Sequence, residues 1–370
     1  MYFCFMTNEL LYEIGITLVP GIGNIGGKKL IAYCGGAEAV FKEKKRNLEA
    51  VAGLNAKSIA AIISQKVLSR AEKEIKYLDK MNIKPLFYLD TDYPKRLQHC
   101  NDSPVMLYYK GATNLNACRV VGIVGTRNAS DYGRAMTEKI VEQLTSDNVL
   151  IVSGLAYGID AIAHRSAIKF NIPTVGVLGH GLQMIYPNGN RKLAQSMLQN
   201  GGLLTEYLYG TLPEKENFPQ RNRIVAGMID CLVVVESALK GGALITADIA
   251  DSYDRDVFAF PGRAGDLFSE GCNHLIKNNK ANLILDVADI RYVMRWDTDV
   301  EMPNKQMRLF REFNSDEQLV LNAFGPDEVV HIDKIITETN MSLPKLASVL
   351  LSLEFDGVLS ALPGKRYRKN

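Results

Sequence analysis

The stretch VVGIVGTRNASDYG, Val120 to Gly133, decides the fold. A run of β-branched residues ends at Gly125, a small polar turn follows, and Ser130 or Asp131 can cap the helix that comes next. The same arrangement recurs downstream. SGLAYGIDAIAH (Ser153 to His164), NFPQRNRIVAG (Asn217 to Gly227) and GGALITA (Gly241 to Ala247) each fall just after an apolar run and just before a helical pattern. In an α/β sheet that position is the carboxyl edge of the strands, where ligands collect.

Outward from this stretch, composition predicts strands at Val120–Thr126, Val149–Gly154, Thr174–Gly179, Leu203–Tyr207, Leu232–Glu236, Val257–Gly262 and Leu283–Asp286. Between most of them lie helix-length segments with apolar residues every three or four positions, such as Ala135–Leu144 and Ala161–Phe170. Apolar strands alternating with helices imply a parallel sheet covered on both faces. The expected fold class is therefore α/β, with a central Rossmann-like, doubly wound sheet.

Phosphate chemistry is expected at its edge. A helix N-terminus offers unpaired N–H groups and a positive dipole end. One such terminus follows Gly125, with Arg127 inside the turn, where a guanidinium can grip a phosphate as a fork. Gly241 and Gly242 open a second helix beside Lys240, and Arg221 and Arg223 add two more charges. Each glycine alone is explained by a tight turn; several interleaved with Arg127, Lys215, Arg221 and Arg223 are not. A dinucleotide site fits poorly, because G-T-R-N-A-S replaces G-x-G-x-x-G and the second strand ends in Ser153-Gly154 rather than an acidic residue.

The ordered series GTR-x-x-S-x-Y-G, SGLA-x-GID-x-x-AH, GL-x-x-x-YP-x-x-N, FP-x-RNRI-x-AG, LITA and S-x-G-x-N-x-LI resembles the DNA-processing protein A family (DprA, also called Smf). The resemblance implies a single-stranded-DNA binder, active in natural transformation, that helps load the RecA recombinase. It implies a DNA pocket at Arg127, Lys215 and Phe218. It also implies a homodimer joined through the end of the central domain, making Leu275 and Ile276 candidate interface residues, although core packing explains them equally well. Three positions depart from the family pattern. KGGALITA replaces the usual SGSLITA, removing hydroxyls beside the second anion site. Gln183 replaces a common acidic residue, and Asn279 stands where Gly is usual. Asn tolerates the left-handed conformation, so the last change is mild.

The full set of expected nucleic-acid-binding residues is Gly125, Thr126, Arg127, Ser153, Gly154, Lys215, Phe218, Arg221, Asn222, Arg223, Lys240, Gly241 and Gly242. Arg127, Lys215, Arg221 and Arg223 would track phosphates, and Phe218, on a polar loop, would stack on a base. The competing reading is a nucleotide-phosphate hydrolase of the lysine-decarboxylase-like Rossmann fold. Its hallmark, PGG-x-GT followed by a catalytic Glu, is replaced here by ESALKGGALITA. Asp160 and His164, four apart on one helix, suit a core hydrogen bond better than a catalytic pair. No nucleophile shows an accompanying base and orienter, so no catalytic residue is expected.

With 370 residues and a net charge of +2, the chain has room for several domains, and any basic surface must be local. No apolar run reaches membrane-spanning length, and MYFCFMTNEL does not read as a signal peptide. Six scattered cysteines and five histidines without ligand spacing predict a reducing cytoplasm and no structural metal. No cofactor is expected, since the dinucleotide fingerprint is missing.

The expected domains are residues 1–81, 82–297, a linker at 298–314, and 315–370. The first is helical, SAM-like or helix-hairpin-helix-like, because VPGIGNIGGKKLIAYCG (Val19 to Gly35) sets a glycine loop before a helix, with Lys28 and Lys29 nearby. Such a loop can meet a DNA phosphate or merely pack. The last reads as a winged helix. Helices at Asp316–Ala323, Ile332–Glu338 and Leu343–Phe355 precede a wing near Gly357–Gly364 and the basic tail KRYRKN. Its recognition helix carries only Lys345 as a base, which suits protein contact or weak DNA binding.

Overall fold

The computed structural model describes residues 2–51, 53–296, 313–324, 329–355, 358–362 and 365–369, the side chains of 2–8 and 355 excepted. The expected linker at 298–314 lies outside them up to residue 312, as do Gly357, Pro363 and Gly364 of the expected wing. The chain divides into two compact units, Met1–Asp297 and Thr298–Asn370.

In the first unit the strands are β1 (Lys84–Phe87), β2 (Met106–Gly111), β3 (Arg119–Val124), β4 (Val149–Ser153), β5 (Thr174–Val177), β6 (Gly201–Thr205), β7 (Cys231–Val234), β8 (Asp256–Ala259) and β9 (Asn282–Leu283). They form one nine-stranded sheet in the order β1-β2-β6-β5-β4-β3-β7-β8-β9. From β6 to β9 all neighbours are parallel, whereas β1 and β2 run antiparallel and extend one edge. The chain winds outward from β3 through β4 and β5 to β6, then returns to place β7 on the other side of β3. The switch point between β3 and β7 opens a crevice at their carboxyl ends.

Strand periodicity sorts the core onto two faces. Val120 and Val124 pack with Ile224 and Val225 of the helix Asn217–Met228 and with Ala243 and Ala247 of the helix Gly242–Ser252. Val121 and Ile123 point the other way, toward Ile140 of the helix Asp131–Gln143 and Ala163 of the helix Ile159–Lys169. Fully burying one such aliphatic side chain contributes about 1.5–3 kcal/mol, and β3 buries them on both faces.

Helices Tyr2–Thr17, Asn24–Cys34, Ala37–Lys42, Lys45–Glu49, Ala56–Ser64 and Leu68–Met81 precede the sheet. Their buried residues, among them Ile14, Leu30, Phe41 and Ile62, share one cluster with Phe87, Met106 and Tyr108 of the antiparallel edge. Asn24 pins the contact: its side chain accepts from the Val105 N–H at 3.0 Å and donates to Glu206 at 3.4 Å.

The second unit has helices Ser315–Asn322, Ile332–Thr339 and Leu343–Phe355, with strands β10 (Val329–His331), β11 (Leu359–Leu362) and β12 (Arg366–Lys369). These strands form an antiparallel sheet in the order β10-β12-β11, a winged-helix arrangement. Leu346, Leu350 and Leu353 bury one face of the last helix against Val320 and Ile335. Its single basic residue, Lys345, is held 2.7 Å from Asp316. Among the described residues no helix is long and apolar enough to cross a membrane.

Candidate functional site

A cavity of about 660 Å³ opens at the switch point. Its walls come from the loops after β3, β4, β5, β6 and β7, and it brings together Gly125, Thr126, Arg127, Gly154, Lys215, Phe218, Arg221, Asn222, Gly241 and Gly242. Residues scattered over more than a hundred positions of sequence thus converge because each ends a strand or starts a helix on the same sheet edge.

One expected anion site is already filled. Ser130 caps the helix Asp131–Gln143, accepting from the Gly133 N–H at 3.1 Å. The Glu236 carboxylate, almost fully buried, accepts from the Ser130 N–H at 3.0 Å and from the Ser130 hydroxyl. The Ser130 N–H and hydroxyl, which a phosphate at this helix start would otherwise use, are therefore taken by an internal carboxylate. Gly133 is required there, because a Cβ would lie 2.0 Å from Glu236 Oε2.

The second helix start is open. Gly241 is the N-cap of the helix Gly242–Ser252, and no side chain caps it. Gly241, Gly242, Ala243 and Thr246 all line the cavity, so the positive end of this helix faces the open space. Positions 241 and 243 carry no hydroxyl to cap this start; the Gly241 N–H bonds the Ala238 carbonyl and the Leu244 N–H bonds the Gly241 carbonyl.

At the mouth stand a cation and two rings. The Arg127 guanidinium lies 5.8 Å from the centroid of the Phe218 ring. The Tyr186 ring lies 5.9 Å from Phe218, tilted by 35°. Arg127, Lys215 and Tyr186 are exposed and Phe218 is half-buried. Phe218 does not sit on a loop as expected: it belongs to the first turn of the helix Asn217–Met228, which fixes its direction.

Arg221 forms the floor. It is 6 % exposed, donates from Nη1 to the Val177 carbonyl, and its Nε has no protein partner. Gly154 lets it approach, since a Cβ there would lie 2.3 Å from Arg221 Nη1 and 2.4 Å from Asp160 Oδ2. Burial pushes the Asp160 carboxyl above its ordinary value, and the Arg221 charge beside it only partly offsets this. Arg221 is thus a fixed wall of the cavity rather than a free surface charge.

His164 does not pair with Asp160. Its Nε2 lies 2.6 Å from the Gly154 carbonyl, so Nε2 carries the proton, and Nδ1 lies 2.7 Å from the Thr174 hydroxyl, from which it accepts. Complete burial pushes its pKa down to about 4. The pair is structural, although the partners are not each other.

Three expected residues lie outside the cavity. Ser153 is fully buried and donates to the Ile123 carbonyl. Arg223 points away, ion-paired with Glu206 and donating to the Asp102 carbonyl at 2.7 Å. Lys240 is exposed beyond the rim. Leu275 is 2 % exposed within the main core, so the single chain buries it unaided, and Ile276 packs partly against the same cluster. Lys28 bonds Ser103 and the Asn101 carbonyl, and burial lowers its pKa.

Sequence reasoning missed Tyr186 and Asp160 as lining residues, along with Ser237 and Thr246. The YP of GL-x-x-x-YP was the available signal for Tyr186, an aromatic residue in a polar loop. Asn279 takes φ +54°, the left-handed value that its Asn identity accommodates.

The fold is a doubly wound sheet of Rossmann type, with a crevice rimmed by Arg127 and flanked by the Phe218 and Tyr186 rings. The model of the DNA recombination-mediator protein A family matches residues 84–295, and that of the DprA winged helix domain matches residues 311–365. The chain belongs to this family. It is 32 % identical to protein Smf of Synechocystis over 98 % of this chain and 99 % of the relative. It is 35 % identical to protein Smf of Escherichia coli over 74 % of each chain. Among solved structures, DNA processing protein A of Streptococcus pneumoniae superposes with a TM-score of 0.68 at 33 % identity, covering 76 % of this chain and 97 % of that one. DNA processing protein A of Helicobacter pylori, whose structure was described for its single-stranded DNA binding mode, gives 0.53 at 30 % identity, covering 58 % and 96 %.

Proposed function

We propose that the protein binds single-stranded DNA, without sequence preference, in the cavity at the switch point, and assists loading of the RecA recombinase onto it during DNA uptake in natural transformation. The observation that carries this reading is the Arg127 guanidinium beside the Phe218 ring at the mouth of a crevice whose far wall is an uncapped helix start. A phosphodiester needs the first and last of these, and an unpaired base needs the ring. The family membership and the Helicobacter pylori relative support the ligand.

In this reading the protein is not an enzyme. It works in the cytoplasm as a homodimer, and residues 82–297 bind DNA between a helical domain at 1–81 and, after a linker at 298–314, a winged helix at 315–370 that contacts protein or binds DNA weakly. Binding isotherms for single- and double-stranded oligonucleotides of one sequence test it. Preference for the single strand is expected, and equal affinity overturns it. Release of base from nucleoside monophosphates would instead favour the nucleotide-hydrolase alternative.

A further inference from the structure

The helices Asn217–Met228 and Gly242–Ser252 both start at the cavity and end at the opposite edge of the sheet, where Arg255 precedes β8 and Asp230 precedes β7. A second groove lies at that edge. An open cleft of about 870 Å³ is lined by Lys95, His99, Asn101 and Arg255, and it meets a smaller one of about 410 Å³ lined by Lys28, Lys29 and Asn101. Asn101 lines both, so the two are neighbours.

The charge in this groove is unbalanced. Arg96, also on its wall, is matched by Asp230 at 2.5 Å. Lys29 and Lys95 are exposed and have no ion-pair partner among the described residues, and Arg255 Nε is buried without a hydrogen-bond partner. The acids facing the groove are Asp102 and Asp254, and Asp102 already accepts from the Tyr253 hydroxyl at 2.5 Å. Lys28, Lys29, Lys95 and Arg255 against Asp102 and Asp254 leave two positive charges in excess. Arg223, two residues beyond Arg221 on the shared helix, donates to the Asp102 carbonyl and so ties the groove to the cavity floor.

We propose that this groove takes the sugar–phosphate backbone of the same DNA strand after it leaves the cavity, so that one strand is held at both edges of the sheet. The inference rests on the cavity reading above. The helix Gly242–Ser252, with 11 residues, spans about 16 Å at ~1.5 Å per residue. A single strand leaving the cavity has only that short separation to bridge before it reaches the groove. The groove's cations are mostly lysines, point charges that suit a sequence-independent phosphate contact and need no base readout. An acidic protein surface would also be drawn to them, but only a strand held in the cavity arrives at a fixed distance.

The test compares the parent with a Lys29→Ala, Lys95→Ala double variant of the full chain, using thymidine oligomers of about 4 and about 20 nucleotides over a salt series. Both lysines are exposed, and matching melting curves check folding. The short oligomer should bind both proteins alike. The long one should bind the variant several-fold more weakly, with the salt slope reduced by about 1.4 for two lost phosphate contacts. A Lys29→Arg, Lys95→Arg variant should recover the slope. Equal affinity and slope for the long oligomer in parent and alanine variant overturn the groove. Failure of the parent to hold the short oligomer would strike the cavity reading instead, and the slope on the long strand would still decide the groove.

Discussion

The Arg127 guanidinium and the Phe218 ring face each other across 5.8 Å, one from a β-strand turn and the other from the first turn of a helix. In the proposed site they would meet one strand by different physics, so salt separates them. Arg127→Ala should lower the salt slope for single strands by about 0.7, because one phosphate contact is lost. Phe218→Ala should cost about 1–3 kcal/mol of affinity with the slope nearly unchanged, since stacking releases no counterions. Isotherms at several salt concentrations read both. An intact slope in Arg127→Ala would remove that residue from the phosphate path.

Gly133→Ala tests the internal carboxylate. Alanine normally favours a helix over glycine by about 1 kcal/mol. Here its Cβ would lie 2.0 Å from Glu236 Oε2, so urea unfolding should show a net loss of stability. A higher midpoint than the parent's would mean that Glu236 swings aside at little cost.

His164 makes stability pH-dependent. Its folded pKa is about 4 against an ordinary 6.5, so the unfolded chain binds the extra proton between these values. Stability is therefore full above pH 6.5 and falls as pH drops toward 4, by at most about 3 kcal/mol. Asp160, whose carboxyl is pushed up by burial, acts in the opposite sense at the acidic end and blunts the loss. Denaturant midpoints of parent and His164→Gln across this range should converge at low pH; parallel curves would contradict the assignment.

Removing the chain after Asn314 should leave a folded protein that still binds single strands. The first unit, Met1–Asp297, contains the whole cavity and its own core. A truncated protein with parental circular dichroism but little affinity would move the main site to the winged helix.

Leu275→Glu should lower the melting temperature sharply at any protein concentration, because it places a charge in the main core. Ile276→Glu, at a partly open position, is the cleaner probe of self-association by sedimentation. A Leu275→Glu protein that melts with the parent but sediments as a smaller species would restore Leu275 to an interface.

The sheet was legible because each strand is a short apolar run closed by Gly, Pro or Asn, and because alternate residues of Val120–Val124 must serve two faces. Side-chain direction was not legible. Arg221 and Arg223 are two apart in one arginine-rich motif, yet helical geometry sends the first into the cavity floor and the second to Glu206. Nor does Glu236 announce itself in ESALKGG: its capture of the Ser130 N–H and hydroxyl depends on β3 and β7 being neighbours, a fact of topology. Leu275 shows the same limit, since an apolar residue on a helix reads alike whether a partner or the protein's own core covers it.

The Glu236 carboxylate also bears on what the protein ignores. A Rossmann fold ordinarily seats a cofactor's pyrophosphate on the first helix start, and here a tethered anion holds that seat whatever the surrounding metabolite concentrations. A free dinucleotide would have to displace a covalently linked competitor and would meet a like charge on approach. One serine, one glutamate and one glycine thus set a fixed negative charge where such a fold would otherwise admit a mobile one.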